Sequence, residues 1–171
     1  VGVVVFLMVF SIIVFFAPEG GGYFLEYNNF LPADPLKTPP HIAPVWYFTP
    51  FYSLLRAMVW PILGIDAKFW GVVAMGAGVV ILAFLPWLDR SPVKSIRYRG
   101  PIYKTLLTIF VIAFFILGFL GTKDPSYAFF GVIPGAPVAQ ILSAYYFLFF
   151  LTMPWWSKID KYKPEPDRVT M

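Results

Sequence analysis

Four predominantly apolar stretches of this chain carry no charged residue and are long enough, or nearly so, to cross a lipid bilayer. They cover residues 1–17, 69–88, 105–122 and 125–157. Residues 69–88 would span about 30 Å as a helix, which matches the hydrocarbon thickness of a bilayer. The last stretch exceeds one span, and the Gly and Pro residues near its start predict a loop followed by a helix over 138–157. The pattern predicts an all-α integral membrane protein with four transmembrane helices.

Composition excludes most other classes of protein. Hydrophobic residues make up 59% of the 171 and charged residues only 13%, whereas soluble domains carry roughly 25% charged residues. A disordered chain would need the opposite bias. The net charge of +4 could indicate nucleic acid, but the basic residues flank the apolar runs, as membrane topology requires. We therefore expect lipid, and no nucleic acid, around this chain.

The counts of cysteine and histidine limit the metal chemistry. The chain has no Cys and one His, His41. These residues alone cannot form a disulfide, a zinc tetrad, an iron–sulfur cluster or a bis-histidine haem. No metal site is expected, and the sequence shows neither a Gly-rich phosphate loop nor a catalytic triad.

The distribution of Lys and Arg predicts the orientation. Nine of the 13 basic residues fall between the second and third spans or after the fourth, so four spans put all nine on one side: Arg90, Lys94, Arg97, Arg99, Lys104, Lys158, Lys161, Lys163 and Arg168. The positive-inside rule places that side, with both ends of the chain, in the cytoplasm. These charges are expected to set topology, with anionic lipid binding as a second possibility. Arg56, Asp66 and Lys68 are expected to be solvated caps or anchors.

These observations divide the chain into spans and connections. The chain begins inside an apolar run with no charged leader, so the first span is interpreted as truncated at its start and a signal peptide is not expected. The predicted segments are a transmembrane helix at 1–17, an outer-face loop at 18–68 with a short amphipathic helix at about 45–57, a transmembrane helix at 69–88, a basic inner loop at 89–104, a transmembrane helix at 105–122, an outer loop at 123–137, a transmembrane helix at 138–157 and an inner tail at 158–171.

The long outer loop is the place where function is expected, because structureless loops of about fifty residues are uncommon. Pro44 is suited to start the short helix. The aromatic residues of this helix permit two interpretations: a helix lying at the membrane surface, or the wall of a pocket for a flat hydrophobic ring such as a quinone. In the second, Phe48 packs against the ring while Tyr47 and Tyr52 supply polar groups. His41, held among prolines, either carries a proton or ties the loop by hydrogen bonds.

Several separated motifs resemble cytochrome b of bacterial cytochrome bc1 complexes. Residues 34–48, Asp-Pro-Leu-Lys-Thr-Pro-Pro-His-Ile-Ala-Pro-Val-Trp-Tyr-Phe, are similar to its outer-face loop. Residues 85–92, Leu-Pro-Trp-Leu-Asp-Arg-Ser-Pro, are similar to its loop between helices F and G, and residues 140–147, Gln-Ile-Leu-Ser-Ala-Tyr-Tyr-Phe, to its last helix. The resemblance covers nearly the whole chain and implies the C-terminal half, helices E to H. The related subunit IV of cytochrome b6f has three spans, so the fourth favours the bc1 type.

The resemblance implies a part of a quinol:cytochrome c oxidoreductase in the bacterial inner membrane. Two b-type haems would be ligated outside these residues, and this half would form a wall of the quinol-oxidation pocket on the positive side. The implied partners are the N-terminal half of cytochrome b, the Rieske iron–sulfur protein, cytochrome c1, quinol and membrane lipid, in a dimeric complex. The implied quinol-binding residues are Pro44, Val45, Trp46, Tyr47, Phe48, Tyr52 and, from the second span, Met75.

One position departs from the family motif. The family has Pro-Glu-Trp-Tyr, whose Glu is thought to bind quinol and accept a proton, whereas this chain has Val45 in its place. The proton would then leave through Tyr47 or His41, through a carboxylate elsewhere in the loop, or through the iron–sulfur partner. The competing hypothesis is a non-enzymatic four-helix transporter or assembly subunit whose aromatic loop binds lipid or a partner. The absence of charges from the four predicted spans weighs against a transporter.

Overall fold

The computed structural model describes residues 1–23, 27–38, 42–124, 126–164 and 166. The chain divides into two compact units, Val1–Ile42 and Ala43–Met171. The first unit contains helix α1, Gly2–Phe16, followed by short 3-10 turns at Gly20–Gly22 and Tyr27–Phe30. Helix α1 ends at Phe16, and Ala17 caps it just before Pro18, whose ring and missing N–H do not favour continuing the helix.

In its described residues, the second unit is a helical bundle with one small hairpin. Its helices are α2, Thr49–Ala57, α3, Ala67–Ala83, α4, Leu85–Leu88, α5, Pro101–Gly121, and α6, Gly135–Ile159. An antiparallel pair, β1, Ala128–Phe129, and β2, Ile133–Pro134, connects α5 to α6. Helix α2 packs against α3, α5 and α6, and α5 packs against α6. The buried core lies where these four helices meet and includes Phe51, Leu54, Leu117, Leu120, Tyr146, Phe149, Phe150 and Met153.

Within the described residues, two helices, α5 and α6, are long and apolar enough to cross a membrane. Helices α1 and α3 are apolar but shorter, at 15 and 17 residues. The all-helical membrane character of the prediction thus agrees with the structure, apart from the two-residue strands. The count of four spans remains a prediction.

The predicted helix over 69–88 is divided into α3 and α4. The break falls at Phe84, and Pro86 stands at the start of α4. Proline has no N–H to donate, and its ring would clash with the carbonyl group of Leu82 in a continuous helix. The composition of the run indicated one span, whereas the proline divides it into two helices.

The later helices are longer than their charge-free cores. Helix α5 begins at Pro101, a favoured first helical residue, and so takes in Lys104. Helix α6 spans 25 residues, continues through Pro154 and ends at Ile159, beyond Lys158. The hairpin between them was not anticipated, and its turn contains Gly131 with φ of 70°.

Candidate functional site

The aromatic segment of the long loop forms a turn and then helix α2. The Phe48 N–H donates to the Val45 carbonyl at 2.8 Å, and the Thr49 hydroxyl donates to the Trp46 carbonyl at 2.6 Å. Helix α2 therefore begins at Thr49 rather than near residue 45. Pro50, not Pro44, is the proline of its first turn. Two prolines six residues apart could each have started the helix, and only the tertiary structure distinguishes them.

Helix α2 is a core element rather than a helix resting on the membrane surface. A Cβ added at Gly121 of α5 would overlap the Thr49 carbonyl, and one added at Gly71 of α3 would contact the Leu55 carbonyl oxygen at 2.5 Å. Ser53 is buried and donates a 2.5 Å hydrogen bond to the Leu117 carbonyl. Two glycines and one serine thus let α2 pack tightly between its neighbours, so its position is fixed.

The aromatic residues before α2 form a continuous row of rings. The centroid distances are 5.5 Å from Trp46 to Tyr47, 5.3 Å from Tyr47 to Phe48 and 6.3 Å from Phe48 to Phe51. Trp46, Tyr47 and Phe48 are 77%, 52% and 46% exposed, whereas Phe51 is buried. The row therefore joins an exposed aromatic face to the core. Such a face can pack against a flat apolar ring, with the Tyr47 hydroxyl as a polar group.

The other predicted site residues lie in different settings. Pro44 is half-buried, Val45 is exposed beside the aromatic face, and Tyr52 is partly buried in the first half of α2. Met75 lies on α3 and packs against the buried core. The structure brings Val45, Trp46, Tyr47 and Phe48 together and places Met75 at the edge of the core. His41 lies outside the described residues.

Arg56 has a role that the sequence interpretation missed. Its Nη1 donates to the Lys123 carbonyl at 2.8 Å, and its guanidinium carbon lies 5.4 Å from the centroid of the Tyr52 ring. Arg56, which was predicted to be a solvated anchor, is therefore half-buried. Its guanidinium joins α2 to the segment after α5 and lies over the Tyr52 ring. The spacing of four residues between Tyr52 and Arg56, which places both on one helix face, was the available signal.

A small cavity lies behind α2, on the side of Ser53 and Arg56. It measures about 120 Å³ and is lined by these two residues, Asp124 and apolar side chains. Sites for drug-sized ligands usually occupy about 300 to 1,000 Å³. This cavity is too small for a quinone, so a quinone-sized pocket would need the exposed aromatic face and a further surface opposite it.

The described residues offer no site for a metal or a haem. Within the ranges that the structure covers, no group of three or more His, Cys, Asp or Glu side chains could hold a metal ion. His41 is the chain's one histidine, and a bis-histidine haem needs two. The residues present therefore cannot supply both axial ligands of a bis-histidine haem.

Comparisons with known proteins place this chain in a family. Residues 32–147 match the family model described as cytochrome b (C-terminal)/b6/petD. The chain is 54% identical to cytochrome b of Allochromatium vinosum and 40% identical to cytochrome b of Rhodospirillum rubrum, each over 99% of this chain. It is 37% identical to cytochrome b/c1 of Bradyrhizobium diazoefficiens, again over 99%. The chain spans 39%, 38% and 22% of the lengths of these three relatives.

Proposed function

This chain belongs to the cytochrome b family, in the part that the family model describes as C-terminal, and from that premise we propose that it forms one wall of a quinol-oxidation pocket. The complex would be a quinol–cytochrome c oxidoreductase of the bc1 type. The name cytochrome b/c1 of the Bradyrhizobium relative supports that type. The observation that carries the proposal is the exposed row of Trp46, Tyr47 and Phe48, anchored through Phe51 in the core.

The proposed role of these residues is binding and positioning. The quinol ring packs against Trp46 and Phe48, and the Tyr47 hydroxyl hydrogen-bonds to it. Pro44 and Val45 border the ring on one side, and Tyr52, held beneath Arg56, borders it on the other, with Met75 behind. Oxidation of quinol to quinone releases two protons and two electrons, and the electrons go to groups that this chain does not ligate.

Val45 cannot accept a proton. In the proposal the Tyr47 hydroxyl hydrogen-bonds to the quinol and passes on its proton. His41 is the second candidate for this proton transfer. The two b-type haems of the full subunit would be ligated by residues outside these 171, because the chain's one histidine cannot supply both axial ligands.

The proposed setting is a dimeric complex in the bacterial inner membrane. It would contain the N-terminal part of cytochrome b, a Rieske iron–sulfur protein and cytochrome c1. The basic loop and tail would face the cytoplasm by the positive-inside rule. The aromatic face would then lie at the opposite side, where protons are released, and the complex would act as a translocase.

The test is quinol oxidation by the whole purified complex carrying Tyr47→Ala. We expect the quinol:cytochrome c rate to fall about tenfold or more, equivalent to about 1.4 kcal/mol or more of transition-state stabilisation, with unchanged haem content as the measure of assembly. Tyr47→Phe separates the hydroxyl from the ring, because it keeps the ring and loses only the hydrogen bond. Tyr23→Ala, at a tyrosine that is 93% exposed, is the matched control. Normal turnover in Tyr47→Ala would remove the assigned role.

A further inference from the structure

A basic cavity lies where the start of α5 meets the residues that follow the end of α6. It is far in the sequence from the aromatic face. Its volume is about 350 Å³, and its lining includes four basic side chains together with Tyr162: Arg99, Lys104, Lys161 and Lys163. The cavity belongs to no step of the function proposed above. It is large enough to hold a phosphodiester head group.

Hydrogen bonds hold the walls of this cavity in place. The buried Asp160 carboxylate accepts from the N–H groups of Ile102 at 3.2 Å and Tyr103 at 3.0 Å, at the start of α5. The Lys163 N–H donates to the Tyr98 carbonyl at 2.8 Å. The residues after α6 are thereby fastened along the residues before α5. Lysines from two distant parts of the sequence are brought to one cavity with Arg99.

Arg99 is incompletely satisfied at this cavity. Its side chain is 9% exposed, and its Nη2 pairs with the Asp89 carboxylate at 2.6 Å. Nε and Nη1 are buried and have no hydrogen-bond partner among the residues that the structure describes, and the guanidinium lies 4.2 Å from the centroid of the Tyr103 ring. Buried donors without acceptors are rare and costly in proteins. Arg99 therefore forms a buried part of the cavity wall, held between the Asp89 carboxylate and the Tyr103 ring.

The local charge is positive after the ion pairs are counted. Asp89 neutralises Arg99, and the Asp160 carboxylate is directed to the start of α5. Among the described residues, Lys104, Lys161 and Lys163 form no ion pair with an acidic side chain. Three lysines around one cavity repel each other unless an anion lies between them. The charge of the cavity thus favours a ligand with at least one negative charge.

We propose that this cavity binds the phosphate group of an anionic lipid. Both helices that meet there are long and apolar enough to cross a membrane, so their ends lie at head-group level. The rings of Tyr103 and Trp156 pack at 5.6 Å, and Tyr162 is exposed, as is typical of residues at the membrane–water interface. Basic pockets between transmembrane helices bind anionic head groups. The shared chemistry is a phosphate oxygen among ammonium and guanidinium groups, which a free phosphate could also supply.

The experiment measures phospholipid bound to the purified, delipidated complex by native mass spectrometry during titration with phosphatidylglycerol. Lys104→Gln/Lys161→Gln removes two charges from the cavity. Arg97→Gln/Lys158→Gln removes two charges from the same loop and helix end without touching the cavity lining, and is the matched control. At about 1 kcal/mol per basic residue, the cavity variant should bind phosphatidylglycerol about thirtyfold more weakly, with the control unchanged.

Two further arms identify the source of the phosphate. Phosphatidylcholine, which has no net charge, should not compete, and millimolar inorganic phosphate should not displace the bound lipid. Displacement by inorganic phosphate in the wild type, but not in the cavity variant, would assign the site to a free phosphate and overturn the lipid. Equal binding of phosphatidylglycerol by both variants and the wild type, or equal loss in both variants, would overturn the site itself.

Discussion

The Tyr146 hydroxyl donates a 2.7 Å hydrogen bond to the Gly78 carbonyl and so joins α6 to α3 inside the bundle. Tyr146 is buried, and its ring packs among Phe51, Phe110 and Phe150. Gly78 has no side chain, and a Cβ there would lie 2.7 Å from a methyl group of Leu54. The hydrogen bond and the missing side chain together bring α3, α2 and α6 to a common point.

The first prediction concerns this hydrogen bond. Tyr146→Phe keeps the ring packing and removes only the hydroxyl. The Gly78 carbonyl stays part of the backbone of α3 and loses only the hydrogen bond from Tyr146. Side-chain hydrogen bonds between transmembrane helices contribute about 0.6 kcal/mol on average, so we expect a small loss of stability, well under that of a cavity-forming change. The measurement is the midpoint of thermal unfolding of the purified complex, with Tyr162→Phe as the exposed control. A loss of stability above about 1.7 kcal/mol, the largest value for such hydrogen bonds, would show that the hydroxyl holds more than this one contact.

The second prediction concerns the tight approach of α2 to α5. Gly121→Ala puts a methyl group onto the Thr49 backbone carbonyl, and a backbone group cannot move aside as a flexible side chain can. Overpacking of this kind costs about 1–3 kcal/mol, so the yield of assembled complex should fall. Gly76→Ala in α3 is the matched control, because nothing lies within 4 Å of a Cβ there. Equal yields from the two variants would contradict the packing described here.

The general architecture could be predicted from the sequence because its causes are local. Runs without charge indicated apolar helices, and clusters of Lys and Arg marked their ends. The break at Phe84 was also within reach, since Pro86 removes a helical hydrogen bond and favours a kink or a break in the preceding turn. Composition alone hides such a break, because a proline in an apolar run does not alter the charge pattern.

The contacts of α2 could not be predicted because they are set by residues far along the chain. Ser53 looks like an ordinary polar residue in a helix, and only the nearby Leu117 carbonyl explains its burial. Arg56 looks like a charged helix end, and only the Lys123 carbonyl and the Tyr52 ring show its role. The aromatic residues were predicted as a group from their short spacing and distinctive types, and the structure brings Trp46, Tyr47 and Phe48 together in one row of rings. Their function as a quinol-binding wall remains a proposal.

The third prediction concerns the start of α5. Asp160→Asn removes the negative charge beside the N–H groups of Ile102 and Tyr103. A carboxylate at the N-terminal end of a helix stabilises it both as a hydrogen-bond acceptor and through the helix dipole. Together these effects are worth about 1 kcal/mol or more when the carboxylate is partly buried. The unfolding midpoint should therefore fall. Asp66→Asn at the exposed start of α3 should have a smaller effect, and the opposite ranking would contradict the importance of burial.

The fourth prediction concerns Arg56 as a positioning residue and depends on the proposed quinol site. Arg56→Gln removes the cation above the Tyr52 ring, which is worth about 0.5–2 kcal/mol, while a shortened amide donor remains. We expect the KM for quinol to rise about two- to thirtyfold, with a smaller change in kcat, because the ring that borders the quinol is no longer fixed. Arg56→Lys keeps the charge but not the planar stacking group, so it should recover only part of the loss. Arg90→Lys, at an exposed arginine, controls for a general effect of replacing arginine. An unchanged KM in Arg56→Gln, at normal haem content, would show that the contact with Tyr52 does not reach the quinol.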